Sequence, residues 1–175
     1  TFGQYLGEIF GTVPHDAVGL LGGDRLKIRR IKNFERIYEK SQESLSARGI
    51  SPDVQLRISE RIGIPLLEAA SMESDESLQD IWARLIGNAL DPNIDISIRQ
   101  EFIEALRKFE PIDALVLEAT IALGQSPNSQ VHSAKVHGNF ATGEFADVTL
   151  DQVLVSLLNL DRANCLVAHT EAGIE

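Results

Sequence analysis

Apolar positions recur at helical spacing over most of the chain. Between Asp24 and Arg48, Ile31, Phe34, Tyr38 and Leu45 repeat at intervals of three, four and seven among charged residues, which predicts one long amphipathic helix. Gly49 is placed to close it in the left-handed conformation. Ser51 and Pro52 make a start signal, and Ile58, Ile62, Leu66 and Ala69 predict a second helix over 54–70, kinked or split at Pro65. A third helix begins at Ser74 with Asp75 and Glu76 in its first turn. Its stripe of Leu78, Ile81, Trp82, Leu85, Ile86 and Ala89 is the widest in the chain and stops at Asp91-Pro92, so Trp82 is predicted to be a central buried ring. Ser97 and Gln100 form a capping box for a fourth helix running through Phe102, Leu106 and Phe109, and Pro111 opens a fifth that Gly124 ends.

Beyond Gly124 the pattern changes. Residues 131–148 carry glycines and weak alternation, which reads as loop or short strand. Thr149 and Gln152 form a second capping box, opening a helix with Val153, Leu154, Leu157 and Leu158 inward. Cys165-Leu166-Val167-Ala168 then reads as a strand that buries its thiol, followed by a turn over 170–173. The fold expected is therefore mainly α: a glycine-rich segment over 1–23, a helical bundle over 24–110, and a partial winged-helix-like α+β module over 111–175, cut off inside its wing.

The first 23 residues stand apart. Gly3, Gly7, Gly11, Gly19 and Gly23 share one register of four, broken only at His15, and GQYLGEIFG reads as a small-xxx-small zipper. Glycine costs a helix about 1 kcal/mol per residue relative to alanine, so a helical reading calls for a close backbone approach. Phe2, Leu6, Ile9, Phe10 and Val13 stand between these glycines, while Glu8, Pro14 and Asp16 interrupt any apolar span. The expectation is self-assembly or membrane contact through this segment, and the alternative is a mobile glycine-rich lead-in to the bundle.

Charge sharpens the division. The 175 residues carry a net charge of -10, which disfavours a field-driven grip on nucleic acid by the whole chain. Residues 1–64 nevertheless hold ten basic against eight acidic side chains, and Arg25, Lys27, Arg29, Arg30, Lys32, Arg36 and Lys40 concentrate the basic ones on the long helix. That strip is either a solvated face or a contact for lipid headgroups or phosphate. The chain starts on Thr1 and stops at Glu175 in mid-phrase, which reads as a fragment.

Signals for chemistry are sparse. One cysteine allows no internal disulfide and no Cys-x-x-Cys site, which makes a reducing cytosol the default, and the four histidines match no zinc-ligand spacing. No Gly-x-Ser-x-Gly elbow, His-Glu-x-x-His pair or phosphate loop occurs, so neither an enzyme nor a cofactor is expected. Most of Glu73, Asp75, Glu76 and Asp80 fall in a helix-start turn, where carboxylates suit the helix dipole. Glu68 lies in the apolar phrase IPLLEAAS and needs a partner, for which Arg84 and Asn88 are the candidates.

The phrase PLLEAASMESDESLQDIWARLIGNALDP, residues 65–92, resembles the hallmark of the bacterial abortive infection alpha family. The matching residues are Pro65, Glu68, Ala69, Ala70, Ser71, Glu73, Leu78, Trp82, Ala83, Leu85, Asn88 and Ala89. Gly22, Asp24 and Arg29 upstream, and Leu106 and Pro111-Ile112-Asp113-Ala114 downstream, extend the likeness, while Glu110 departs from it where a capping Ser is expected. The resemblance implies a role in phage defence and brings no catalytic residue. The reading is a non-enzymatic effector of the bacterial cytoplasm, peripheral to the inner membrane, whose partners are further copies of itself, a membrane surface and a phage or host protein as trigger. The alternative is a winged-helix transcriptional regulator that binds nucleic acid. It is disfavoured because the candidate recognition helix over 150–160 carries Asp151 and no basic residue.

Overall fold

The computed structural model describes residues 2–11, 24–95, 98–124, 131–140 and 147–167. The chain forms two compact units, Thr1–Lys108 and Phe109–Glu175. The first holds α1 (Phe2–Phe10), α2 (Asp24–Ala47), α3 (Glu60–Met72), α4 (Glu76–Leu90) and α5 (Gln100–Leu106); the second holds α6 (Pro111–Leu123), α7 (Ser133–Gly138) and α8 (Leu150–Arg162).

In the first unit α2 is the spine. Its buried face of Phe34, Ile37, Tyr38, Ser41 and Leu45 joins one core with Leu66 and Ala70 of α3 and with Trp82, Ile86 and Leu90 of α4. Small residues let the backbones close in: Gly87 of α4 faces the Ser41 carbonyl oxygen of α2, 3.6 Å from where a Cβ would stand. The last turn of α2 ends as the sequence predicts. Gly49 has φ +76°, its N–H donates to the Ser46 carbonyl, and the Ile50 N–H donates to the Leu45 carbonyl. Ile50 is buried against that end, which completes a Schellman closure.

Four features of these helices differ from the sequence reading. The helix expected from Val54 starts at Glu60, because residues 55–59 run extended and cap other helices: the Leu56 N–H donates to the Leu90 carbonyl at the end of α4, and the Ile58 N–H to the Ile9 carbonyl at the end of α1. Those carbonyls have no partner within their own helices, so the extended stretch satisfies two helix ends at once. Pro65 sits inside one continuous α3 rather than splitting it. Asp75, not Ser74, caps α4, its carboxylate accepting from the Leu78 N–H at 3.1 Å. The fourth helix begins at Gln100, three residues after the predicted cap at Ser97, which lies outside the described residues.

The glycine-rich start is part of this unit. Phe2, Leu6 and Ile9 of α1 are buried in its core, and the Phe2 ring meets Phe34 edge-on at 6.0 Å.

The second unit corrects the expectation of a winged-helix module: among the described residues it contains helices and no strand. The stretch read as loop or strand over 131–148 includes α7. The strand expected at Cys165 is replaced by a helix ending. Asn164 takes φ +57°, its N–H donates to the Asp161 carbonyl, and the Cys165 N–H donates to the Leu160 carbonyl. With that N–H bonded to the last turn of α8, it is not available to a ladder. Cys165 is exposed rather than buried. The Thr149–Gln152 capping box is formed, with the Thr149 N–H donating to Gln152 Oε1 at 2.8 Å. Val153 and Leu160 point inward, but Leu154 and Leu158, expected inside, are exposed.

Candidate functional site

The basic strip of α2 resolves into a ridge. Arg25, Arg29, Lys32 and Arg36 are spaced four, three and four residues apart, which places them within about 60° on one side of a helix. That side faces away from Phe34, Ile37 and Tyr38. All four are exposed, and among the described residues none forms an ion pair. Lys27 and Arg30 are half-buried toward the other side. Two large apolar side chains flank the ridge in the open, Leu26 at 61 % and Ile28 at 57 % exposure. Beyond Arg36 the exposed positions turn acidic at Glu39 and Glu43, and Lys40 is tied down by Asp80 of α4 at 2.6 Å. Over about 16 Å, the first half of α2 thus offers four exposed cations and two apolar side chains to whatever lies outside.

The glycines separate into three cases. Gly3 and Gly7 lie on α1, and among the described residues a Cβ added at either meets nothing within 4 Å. Gly11 follows α1 with φ +77°, under the side chain of Arg57. Gly19 and Gly23 lie outside the described residues. Sequence reasoning missed a glycine outside this segment at which a ring approaches closely. Gly63 of α3 receives the ring of Phe10 where a Cβ would stand.

The motif residues are scattered across structural roles. Trp82 is buried at 2 % exposure and borders a groove of about 230 Å³ with Ala69, Met72, Glu73, Leu106 and Arg107. Glu68 is half-exposed and pairs with Arg107 at 3.7 Å. Asn88 accepts from Arg48 at 3.2 Å, and Arg84 is exposed on α4. Sequence reasoning missed the most enclosed clasp between α2 and α4: Arg48, just past α2, donates to the buried Asp91 at 2.8 Å, while the other Asp91 oxygen accepts from the Asn93 N–H. At the joint of α1 and α2, Tyr38 donates to Glu8 at 2.9 Å and its ring lies 4.8 Å from that of Tyr5 at a tilt of 39°, while Tyr5 donates to Glu39. Burial, then the Glu8 hydrogen bond, pushes the Tyr38 phenol well above its ordinary value. Tyr5 is raised by desolvation and then by Glu39 and Glu35.

In the second unit the buried Asp113 of α6 is the organising group. It accepts from Ser156 Oγ at 2.6 Å, from Asn159 Nδ2 at 2.6 Å and from the Glu110 N–H at 2.8 Å. This third bond shows how the helix starts with Glu110 in place of Ser: Asp113 reaches back to the N-cap backbone. Among the described residues no group of three or more His, Cys, Asp or Glu is placed to hold a metal ion, and no helix is long and apolar enough to cross a membrane.

The architecture defines a helical protein of two units with an open basic ridge on its longest helix. Residues 30–173 match the abortive infection alpha family, and the chain belongs to that family. The match leaves α1 and the first turns of α2, including Arg25 and Arg29, outside it. No curated protein and no solved structure matches the chain.

Proposed function

We propose that the chain is a phage-defence effector that acts without enzymatic chemistry, by assembling with copies of itself and by laying the first half of α2 on an anionic membrane surface. Membership of the abortive infection alpha family supports the defence role. The carrying observation for the membrane contact is the ridge of Arg25, Arg29, Lys32 and Arg36 flanked by exposed Leu26 and Ile28. Each cation near an anionic leaflet contributes about 1 kcal/mol, so four supply about 4 kcal/mol, and the two apolar side chains add burial at the headgroup boundary. The whole chain, at net charge -10, is repelled by the same surface, which orients it with the ridge inward. The reading without chemistry rests on a sequence that lacks a nucleophile elbow, a His-Glu-x-x-His pair and a phosphate loop.

Co-sedimentation with vesicles tests the contact. The intact chain is expected to bind phosphatidylglycerol-containing vesicles and not phosphatidylcholine ones, with binding that weakens as salt rises and disappears when Arg25, Arg29, Lys32 and Arg36 are all changed to Glu. Binding that ignores lipid charge or the reversal contradicts it. A steep salt dependence on duplex DNA, lost on reversal, would transfer the ridge to nucleic acid.

A further inference from the structure

The exposed side of α8 carries an order of residues that reads the same way against its own reverse. Asp151, Val155, Leu158 and Arg162 are spaced four, three and four residues apart, so they share one side of the helix within about 60°. That side lies opposite Val153, Ser156 and Leu160, which face the core of the second unit. Val155 is 66 % and Leu158 52 % exposed, and Leu154 beside them is 40 % exposed. Asp151 and Arg162 are exposed, and among the described residues neither has an ion-pair partner.

We propose that α8 is a self-pairing surface on which two copies of this chain lie antiparallel. Reversing the helix brings Asp151 of each copy opposite Arg162 of the other and Val155 opposite Leu158, so one twofold axis between positions 156 and 157 satisfies every pair. The partner is a second copy because the charges, the apolar residues and the spacing are all complementary to the same helix turned end for end, as an isologous interface demands. Asp151 in the first turn and Arg162 in the last already suit the dipole of their own helix. That polarity also makes two antiparallel copies attract, whereas parallel copies would set Asp against Asp and Arg against Arg. The side chains of Val155 and Leu158, left in water in one copy, become the dry centre of the seam, with Leu154 at its margin.

This surface would serve the self-assembly proposed above, but its test reads only oligomeric state, so its failure leaves the membrane contact standing. Sedimentation of the full chain over a range of concentrations should show a reversible dimer. Leu158→Glu should raise the dissociation constant at least about tenfold with unchanged helicity. Should Leu158→Glu lose helicity, Val155→Ser, which removes only exposed methyl groups, is expected to weaken the dimer in the same direction. Orientation is read by disulfide cross-linking in a Cys165→Ser background. Leu158→Cys lies about 4–5 Å along the axis from its counterpart and should cross-link, while Asp151→Cys lies about 16 Å from its own and should not. A strict monomer, a dimer indifferent to both apolar variants, or cross-linking through Asp151→Cys overturns the proposal.

Discussion

Arg48 and Asp91 meet at 2.8 Å and bind the end of α2 to the end of α4. The Asp91 side chain is almost fully enclosed while Arg48 is about a third exposed, so the carboxylate depends on the pair more than the guanidinium does. Arg48→Ala leaves a buried acceptor short of its donor and should lower stability by about 1–3 kcal/mol. Asn88→Ala removes only a peripheral acceptor and should cost less. Denaturant midpoints of the two variants check the order.

Trp82 of α4 has 2 % of its surface exposed and borders one groove with Ala69 and Met72 at the end of α3. Trp82→Ala should cost about 3–5 kcal/mol. At the other end of α3, Gly63→Ala collides with the Phe10 ring and should cost about 1–3 kcal/mol. Adding Phe10→Leu to Gly63→Ala should recover part of that loss, which a double-mutant cycle measures; strict additivity would contradict the contact.

Asp113 gathers three donors in the second unit, and Asp113→Ala should destabilise that unit by about 2–4 kcal/mol. The chain has one tryptophan, Trp82, and it lies in the first unit. Thermal unfolding of the variant should therefore move the transition seen by circular dichroism while the Trp82 fluorescence transition stays in place. An equal shift of both signals would show that the two units unfold together.

Both tyrosines of the chain, Tyr5 and Tyr38, have phenols raised above the ordinary value of about 10. Tyrosinate absorbance should stay low at pH 10 in the folded protein and appear on unfolding. The sign of the linkage follows: their contribution to stability is complete below about pH 10 and is lost as pH rises toward their folded values. Tyr38→Phe should remove most of this alkaline sensitivity.

Much of the first unit was legible because its signals are local. The stripe around Trp82, the Gly49 closure and the Asp91-Pro92 stop each depend on neighbours within a few turns. The start of α3 was misplaced because residues 55–59 satisfy the ends of α1 and α4, helices distant in sequence. Arg48 and Asp91 are 43 positions apart, and Gly63 and Phe10 are 53, and periodicity carries no information about such partners. The strand expected at Cys165 failed at one residue: Asn164 tolerates the left-handed conformation, a signal for a helix closure that outweighed the apolar run after it. The basic ridge was visible as composition, but its separation from Lys27 and Arg30 became visible only with the helix phase.

Phage plating on cells that carry the full protein tests the central claim most directly. The wild-type protein should lower plating efficiency. The variant with Arg25, Arg29, Lys32 and Arg36 changed to Glu, present at equal level and with equal helicity, should lose that protection. Full protection by the reversed variant would contradict the account and leave the ridge of α2 as a solvated face.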